Sequence, residues 1–310
     1  MPDNPTRPLI ALTGATGFIG RHLQRALLDA GCAVRALVRT RSLASSGLIE
    51  GVEVAEADLG CESSMKLALN DVDQLVYAAG SVRGRDPEDF ALANVTGVKL
   101  AATALASRKP GIPMLLISSL AASAPELSHY AASKRAGEDA LRGSGLTRWA
   151  IMRPPAVYGP GDRELKGTFT AIRRGLVPMV APADQHLPFI EVGDLADAVN
   201  AWSQHPQACS GGTFALHDGQ QGGYDWQAIR QQIGPTRTVT LKVPYPLLDA
   251  LSHVNLWLSR IMSYSPMLTP GKVRELTYMG WTCSNEAFTD ATGWVPRTRL
   301  GQGVAAMFAR

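Results

Sequence analysis

The chain has 310 residues, 45% of them hydrophobic, with a net charge of +3, which suits one large α/β domain with a smaller appendage. Its 30 basic residues are scattered, and no basic stripe marks a nucleic-acid partner. The four cysteines form no CxxC spacing, which argues against a disulfide framework or a metal site and for a reducing compartment. "MPDNPTRP" at the N-terminus carries no apolar export core, so the cytoplasm is the expected location.

Through the first half, short apolar runs alternate with helical patterns. "PLIALTG", "AVRALVR", "VEVAEAD", "DQLVYAA", "PMLLISS" and "WAIMRP" read as buried strands, with helices predicted over Phe18–Ala30, Ser63–Asn70, Glu88–Ser107 and Tyr130–Arg142. This alternation predicts a Rossmann-type α/β fold, a doubly wound parallel sheet with right-handed crossovers. Residues 1–155 are expected to form the dinucleotide-binding domain. From about Pro155 the pattern breaks into Gly/Pro-rich loops and helices, so 156–310 is expected to be mainly a smaller, interleaved substrate region. A later strand, about 213–217 in "GTFALHD", is expected to rejoin the sheet.

The turn after the first strand reads "LIALTGATGFIG". Gly14 permits the tight turn, Gly17 lets main-chain amides approach a pyrophosphate, and Gly20 lets the helix pack closely. Thr16, Phe18 and Ile19 complete the predicted cradle. An acidic residue ending the second strand would bind the adenosine ribose hydroxyls. Here Val38 stands there, followed by Arg39, Thr40, Arg41 and Ser42. A guanidinium suits a 2′-phosphate, so NADP(H) is favoured, with NAD(H) as the alternative.

The GxxGxxG spacing resembles the extended short-chain dehydrogenase/reductase family, which includes nucleotide-sugar epimerases and dehydratases. The resemblance extends along nearly the whole chain. "EADL" matches the adenine-flanking end of the third strand, implying Asp58 and Leu59 as cofactor contacts. "VYAAG" matches the motif under the cofactor, implying Ala78, Ala79 and Gly80. "RPPAVYGPGD" is a specific signature that adds Pro154, Ala156 and Val157. "NVTGVKLAATAL", "ISSLAA", "FIEVGDLADAV" and "TGWVPRTRLGQGV" match further family segments, with Glu191 where a histidine is frequent.

"LSHYAASKRAGED" sets Tyr130 and Lys134 at i and i+4, on one helix face after the serine strand. An ammonium near a phenol should lower its pKa, and can also hold the nicotinamide ribose. Ser119 would orient a substrate oxygen for proton exchange with Tyr130. The resemblance assigns the same roles, with Ser119 rather than Ser118 as the catalytic serine. Asn94 matches a family asparagine that either supports a proton relay or ties helix to sheet.

Only ten residues separate Ser119 from Tyr130, where many sugar-nucleotide members carry a longer insert. Leu120 and Ala121 stand where dehydratases carry acidic residues. The expected activity is therefore interconversion of a secondary alcohol and a ketone. A nucleotide-sugar epimerase recycling NAD is the alternative, and a non-catalytic accessory protein the third. Candidate substrate contacts are Arg83, Ala121, Tyr158 and His186. Arg83 and Arg85 would meet a substrate anion or simply face water.

Tyr245 to Met262 places Leu247, Leu248, Leu251, Val254, Leu258 and Ile261 at helical spacing. It is too polar to span a bilayer. Either it packs against the substrate region, or it forms an apolar lid or membrane-surface helix for a lipophilic small-molecule substrate. The resemblance further implies a homodimer through the fourth and catalytic helices.

Overall fold

The computed structural model describes residues 7–39 and 47–309. In its first half, β1 (Leu9–Thr13), α1 (Phe18–Asp29), β2 (Ala33–Val38), β3 (Glu53–Glu56), α2 (Glu62–Ala68) and β4 (Gln74–Tyr77) lead to α3 (Glu88–Ala91). A π-helical turn over Leu92–Thr96 joins α3 to α4 (Gly97–Arg108), followed by β5 (Met114–Ile117), α5 (His129–Arg142) and β6 (Trp149–Met152). The second half contains β7 (Ala156–Tyr158), α6 (Lys166–Arg173), β8 (Leu176–Met179), β9 (Phe189–Glu191), α7 (Val192–Gln204) and β10 (Thr213–Phe214). It ends with α8 (Trp226–Ile233), β11 (Val239–Lys242), α9 (Tyr245–Met262), α10 (Pro270–Thr277), α11 (Glu286–Thr292) and α12 (Leu300–Phe308).

Seven strands form one parallel sheet in the order β10-β6-β5-β4-β1-β2-β3. β4 and β5 are buried along their whole length, as expected of strands covered by helices on both faces. The exception is β3, predicted buried but largely exposed because it is the sheet's edge. One face carries α1 and α7, with Leu23, Leu27, Leu195, Val199 and Trp202 in its core. The other carries α4 and α5 through Val98, Ala101, Leu105 and Leu141. Glu88–Arg108 is the one described helical run with the length and apolarity of a membrane span. It supplies Phe90, Val98, Ala101 and Leu105 to the interior, as a core helix does.

The second half is interleaved with the first, since α7 packs on α1 and β10 hydrogen-bonds to β6. β10 spans two residues, fewer than the predicted strand. A separate aromatic core joins Tyr158, Phe169, Phe189, Tyr224 and Trp226, with the Tyr158 and Phe169 rings edge-on at 5.7 Å. Buried carboxylates pin the C-terminal tail to this layer. Asp194 accepts from the amides of Arg297 (3.1 Å) and Thr298 (2.8 Å), and Asp218 from Tyr224 Oη (2.6 Å) and the Leu300 amide (3.1 Å). Glu191 caps α7, accepting from the amides of Gly193 (2.5 Å) and Asp194 (3.3 Å), which is a local reason for a carboxylate there.

The packed-helix reading of Tyr245–Met262 holds for one face only. α9 turns Leu248, Ser252 and Ser259 inward, whereas Leu247, Leu251, Val254 and Ile261 are exposed. Between α5 and the π-helical turn, by contrast, there is no spare room. A Cβ on Gly137 of α5 would lie 2.1 Å from the Asn94 carbonyl oxygen. Gly137→Ala is therefore expected to destabilise the fold by about 1–3 kcal/mol, the cost of overpacking. Leu251→Asp should stay within about 0.5 kcal/mol of the parent, as an exposed substitution does. Urea unfolding of the two variants checks both.

Candidate functional site

The sheet reverses its winding between β1 and β4, the switch point where ligands bind in this topology. Gly14 has φ +68°, and a Cβ there would sit 2.6 Å from the Ala78 carbonyl oxygen. Thr13 Oγ1 accepts from the amides of Ala78 and Ala79, both at 3.1 Å, joining the loops after β1 and β4. A Cβ on Gly20 would lie 2.1 Å from the Gly14 carbonyl oxygen, so α1 enters directly over the turn. No side chain caps α1 at Gly17. Its first-turn amides, Phe18 and Ile19 among them, are thus left without a side-chain partner, as a pyrophosphate site requires. Arg21 Nε donates to the Thr16 carbonyl at 3.1 Å and braces the turn.

The remaining predicted cofactor contacts follow the C-terminal ends of neighbouring strands of the sheet. Asp58 and Leu59 follow β3, and Asp58 Oδ1 accepts from the Gly60 amide at 2.8 Å. The Pro154 carbonyl accepts from the Leu120 amide at 2.8 Å, drawing the segment leading to Ala156 and Val157 against the serine loop. His22 Nε2 lies 2.9 Å from the Pro160 carbonyl oxygen, tying α1 to the turn after β7. Arg39 is exposed directly after β2. Thr40, Arg41 and Ser42 lie outside the described residues.

Ser119 caps a 3₁₀ turn over Leu120–Ser123, its Oγ accepting from the Ala121 amide at 3.2 Å. Ser128 caps α5 by accepting from the Ala131 amide at 2.9 Å, and thereby orients Tyr130 in the first turn. Lys134 is buried and its Nζ donates to the Ile117 carbonyl at 2.8 Å. A Cβ on Gly80 would lie 3.7 Å from that Nζ, so the glycine keeps the space beside the amine open.

The expected acidification of the tyrosine is not found. Burial pushes the Tyr130 phenol up to about 12; the Ser119 hydrogen bond opposes this and the Glu275 charge reinforces it. Lys134 bonds to a carbonyl and is itself pulled down to about 8 by burial, with Glu138 opposing. Desolvation penalises both charged forms more than the partners favour them. At neutral pH the phenol keeps its proton.

Asn94 occupies the π turn with its side chain fully engaged. Its Nδ2 donates to the Ser81 carbonyl (3.0 Å) and Ser133 Oγ (2.9 Å), and its Oδ1 accepts from the Ser81 amide (2.9 Å). It ties the loop after β4 to α5, so the tethering role is the one seen. Tyr77 supports the same turn, its hydroxyl donating to the Ala93 carbonyl at 2.8 Å.

Behind the site lies a network that sequence reasoning missed. Glu138, fully buried, accepts from Arg153 Nε (2.8 Å) and Nη2 (2.6 Å), from Ser118 Oγ (2.6 Å) and from Arg142 Nη2 (3.2 Å). Burial works to raise its pKa, but bonds from Arg153 and Ser118 and both guanidinium charges hold it below the usual carboxylate range. The available signal was Glu138 four residues after Lys134, with Arg153 opening "RPPAVYGPGD". Glu275 was also missed. It accepts from Ser128 Oγ and from Lys272 Nζ (2.9 Å), fastening α10 to the start of α5.

The candidate substrate contacts do not assemble. Tyr158 is fully buried in the aromatic core, because its position in β7 faces inward, and this removes it from the site. Ala121 is buried and presents only its amide to Ser119. Arg83 pairs with Glu164 at 2.6 Å, and Arg85 lies 3.8 Å from Asp89. His186 is exposed and makes no hydrogen bond to the described residues.

A switch-point glycine cradle beside a tyrosine and a lysine on one helix defines a Rossmann-type, dinucleotide-dependent enzyme. The chain belongs to the NAD dependent epimerase/dehydratase family, whose model matches residues 10–216. It is 35% identical over 315 residues to the ceramide reductase of Caulobacter vibrioides, covering 94% of this chain and 97% of that one. Among solved structures, gox2253 superposes with a TM-score of 0.71 at 22% identity, covering 97% of this chain and 98% of that one. MoeE5 in complex with UDP-glucose and NAD gives 0.69 at 20%, covering 96% of each. The protein is thus an NAD(P)-dependent enzyme of the oxidoreductase and epimerase class, with a nicotinamide dinucleotide as cofactor.

Glu138→Ala would leave Arg153 half-buried and unpaired, and is expected to cost about 3–5 kcal/mol. Because the folded-state pKa of Glu138 is depressed, its stabilisation is present above the ordinary carboxylate range near 4.3 and is lost as pH falls below it. Urea midpoints of the two proteins should therefore differ most at neutral pH and converge in acid.

Proposed function

We propose that the protein is an NADP(H)-preferring reductase that converts a ketone on a lipophilic substrate to a secondary alcohol at Ser119, Tyr130 and Lys134. The observation that carries this reading is geometric, with Tyr130 hydrogen-bonded to Ser119 and Lys134 one turn on in α5; the reductive direction is supported by the similarity to a ceramide reductase. A tyrosine held at about 12 is in the form required to donate to a developing alkoxide.

In this reading the bound dinucleotide supplies the hydride, and the residues of the chain arrange the proton. Ser119 Oγ orients the carbonyl oxygen, Tyr130 Oη gives it a proton, and Lys134 holds positive charge beside the ribose. Asn94 fixes α5 against the loop after β4. Arg39 recognises the 2′-phosphate through charge-assisted hydrogen bonds. The lipophilic substrate class is supported by the ceramide reductase similarity over nearly the whole chain and by the apolar surface of α9. A cytoplasmic location and a homodimer formed through α4 and α5 belong to the same proposal.

Tyr130→Phe should lower turnover about 10²–10⁴-fold, as loss of an acid–base group does, with NADPH affinity unchanged. Lys134→Met should weaken NADPH binding as well. In the parent enzyme kcat/KM for reduction should fall as pH rises through about 8, where Lys134 loses its charge. Near-normal turnover of Tyr130→Phe on a long-chain ketone would refute the site assignment.

Arg39→Ala should weaken NADPH binding by about 1–3 kcal/mol, the range of a hydrogen bond to a charged group, and leave NADH binding alone. Fluorescence titration with both cofactors measures the difference. Equal losses for the two would remove the case for NADP(H).

A further inference from the structure

α9 is amphipathic in the reverse sense for a helix on a protein surface. Its inward side carries Ser252 and Ser259, both fully buried, with Leu248. Its outward side carries Leu247, Leu251 (48% exposed), Val254, Trp257 (62%) and Ile261 (61%). These positions recur at helical spacing and make one continuous stripe along an 18-residue helix. A helix folded only for its own protein's stability would turn that face inward.

The sequence around α9 has a surplus of positive charge, within which Arg260 is paired with Asp86 and Lys272 with Glu275. Between residues 235 and 282 there are five basic residues (Arg237, Lys242, Arg260, Lys272 and Arg274) against two acidic ones, Asp249 and Glu275. The surplus of three equals the net charge of the whole chain, +3, so the remainder is balanced. Aromatic residues flank it too, with Tyr245 at the start of α9 and Tyr264 just past its end, both exposed. An apolar face with amphipathic aromatics and neighbouring cations matches the boundary between acyl chains and anionic headgroups.

The helix that carries the stripe is also joined to the candidate site. α9 is tied to the loop after β4, where Arg260 pairs with Asp86 at 3.1 Å and Arg85 Nη1 donates to the Ser259 carbonyl at 3.5 Å. That loop leads to Phe90, whose ring centroid lies 6.1 Å from that of Tyr130. On its other side α9 contacts α10, which fastens to the Ser128 cap of the catalytic helix. At the start of α9 a cleft of about 530 Å³, lined by Met179, Val180, Pro182, Val243 and Tyr245 among others, continues the apolar surface inward.

We propose that the exposed face of α9 is a docking surface for an anionic phospholipid bilayer, which holds the mouth of the site against the membrane. This goes beyond the reductase reading, and its test requires no turnover.

The test is flotation of the full-length protein with vesicles of phosphatidylglycerol and phosphatidylcholine. The parent should float with these vesicles, and less with phosphatidylcholine alone. Leu251→Ser/Trp257→Ser/Ile261→Ser should reduce the bound fraction at least ten-fold while keeping the parental melting temperature and NADPH affinity. Lys242→Glu should weaken capture by the anionic vesicles only. Equal flotation of the parent and the triple variant would overturn the proposal, as would no flotation of the parent. So would a lipid-free dimer that the triple variant dissociates, which would make α9 a self-association face.

Discussion

The buried carboxylate of Glu138 is the contact on which the candidate site depends. It receives a bidentate bond from Arg153 on the segment leaving β6 and a bond from Ser118 at the end of β5, while its own backbone belongs to α5. Three elements are thereby held together. Ser119 is the next residue after Ser118, and Lys134 lies one turn before Glu138 on the same helix. Two charges and a hydroxyl removed from water in good geometry constrain position strongly, because any displacement leaves a buried group unpaired.

The local environment of the tyrosine follows from this packing. Closing α5 against β5 and the π turn places Lys134 under the Ile117 carbonyl and removes the amine from water, with Tyr130 partly covered. The phenol therefore stays protonated and the amine titrates close to physiological pH. Glu275 adds to this, since its charge, placed by α10, raises the phenol further. The second half of the chain thus reaches directly into the chemistry of the first.

Much of the framework was legible in residue patterns. The six apolar runs are all strands of the sheet, since central parallel strands need apolar residues on both faces and leave a dense signal. Gly14 and Gly20 were legible because main chain packs where a Cβ would be. The network behind the site was not, because Glu138 and Glu275 look like surface acids until tertiary packing brings Arg153 and Ser128 to them. Tyr158 was misread for a related reason. Its motif marks the neighbourhood of the cofactor, but the alternation of β7 sends that side chain into the aromatic core. For α9 the sequence left packing and an outward apolar face both open, since periodicity shows that a helix is amphipathic without showing which side meets the protein.

The central claim is net hydride transfer to a lipid ketone, with Tyr130 delivering the proton. The most direct measurement is the product mass after incubating the enzyme with a long-chain ketone and NADPH deuterated at the transferable C4 position. The account predicts an alcohol carrying one deuterium on the former carbonyl carbon, with one equivalent of NADP⁺ formed. It would be contradicted if long-chain ketones gave no labelled alcohol while the enzyme interconverted a nucleotide-sugar pair with no net NADPH consumption.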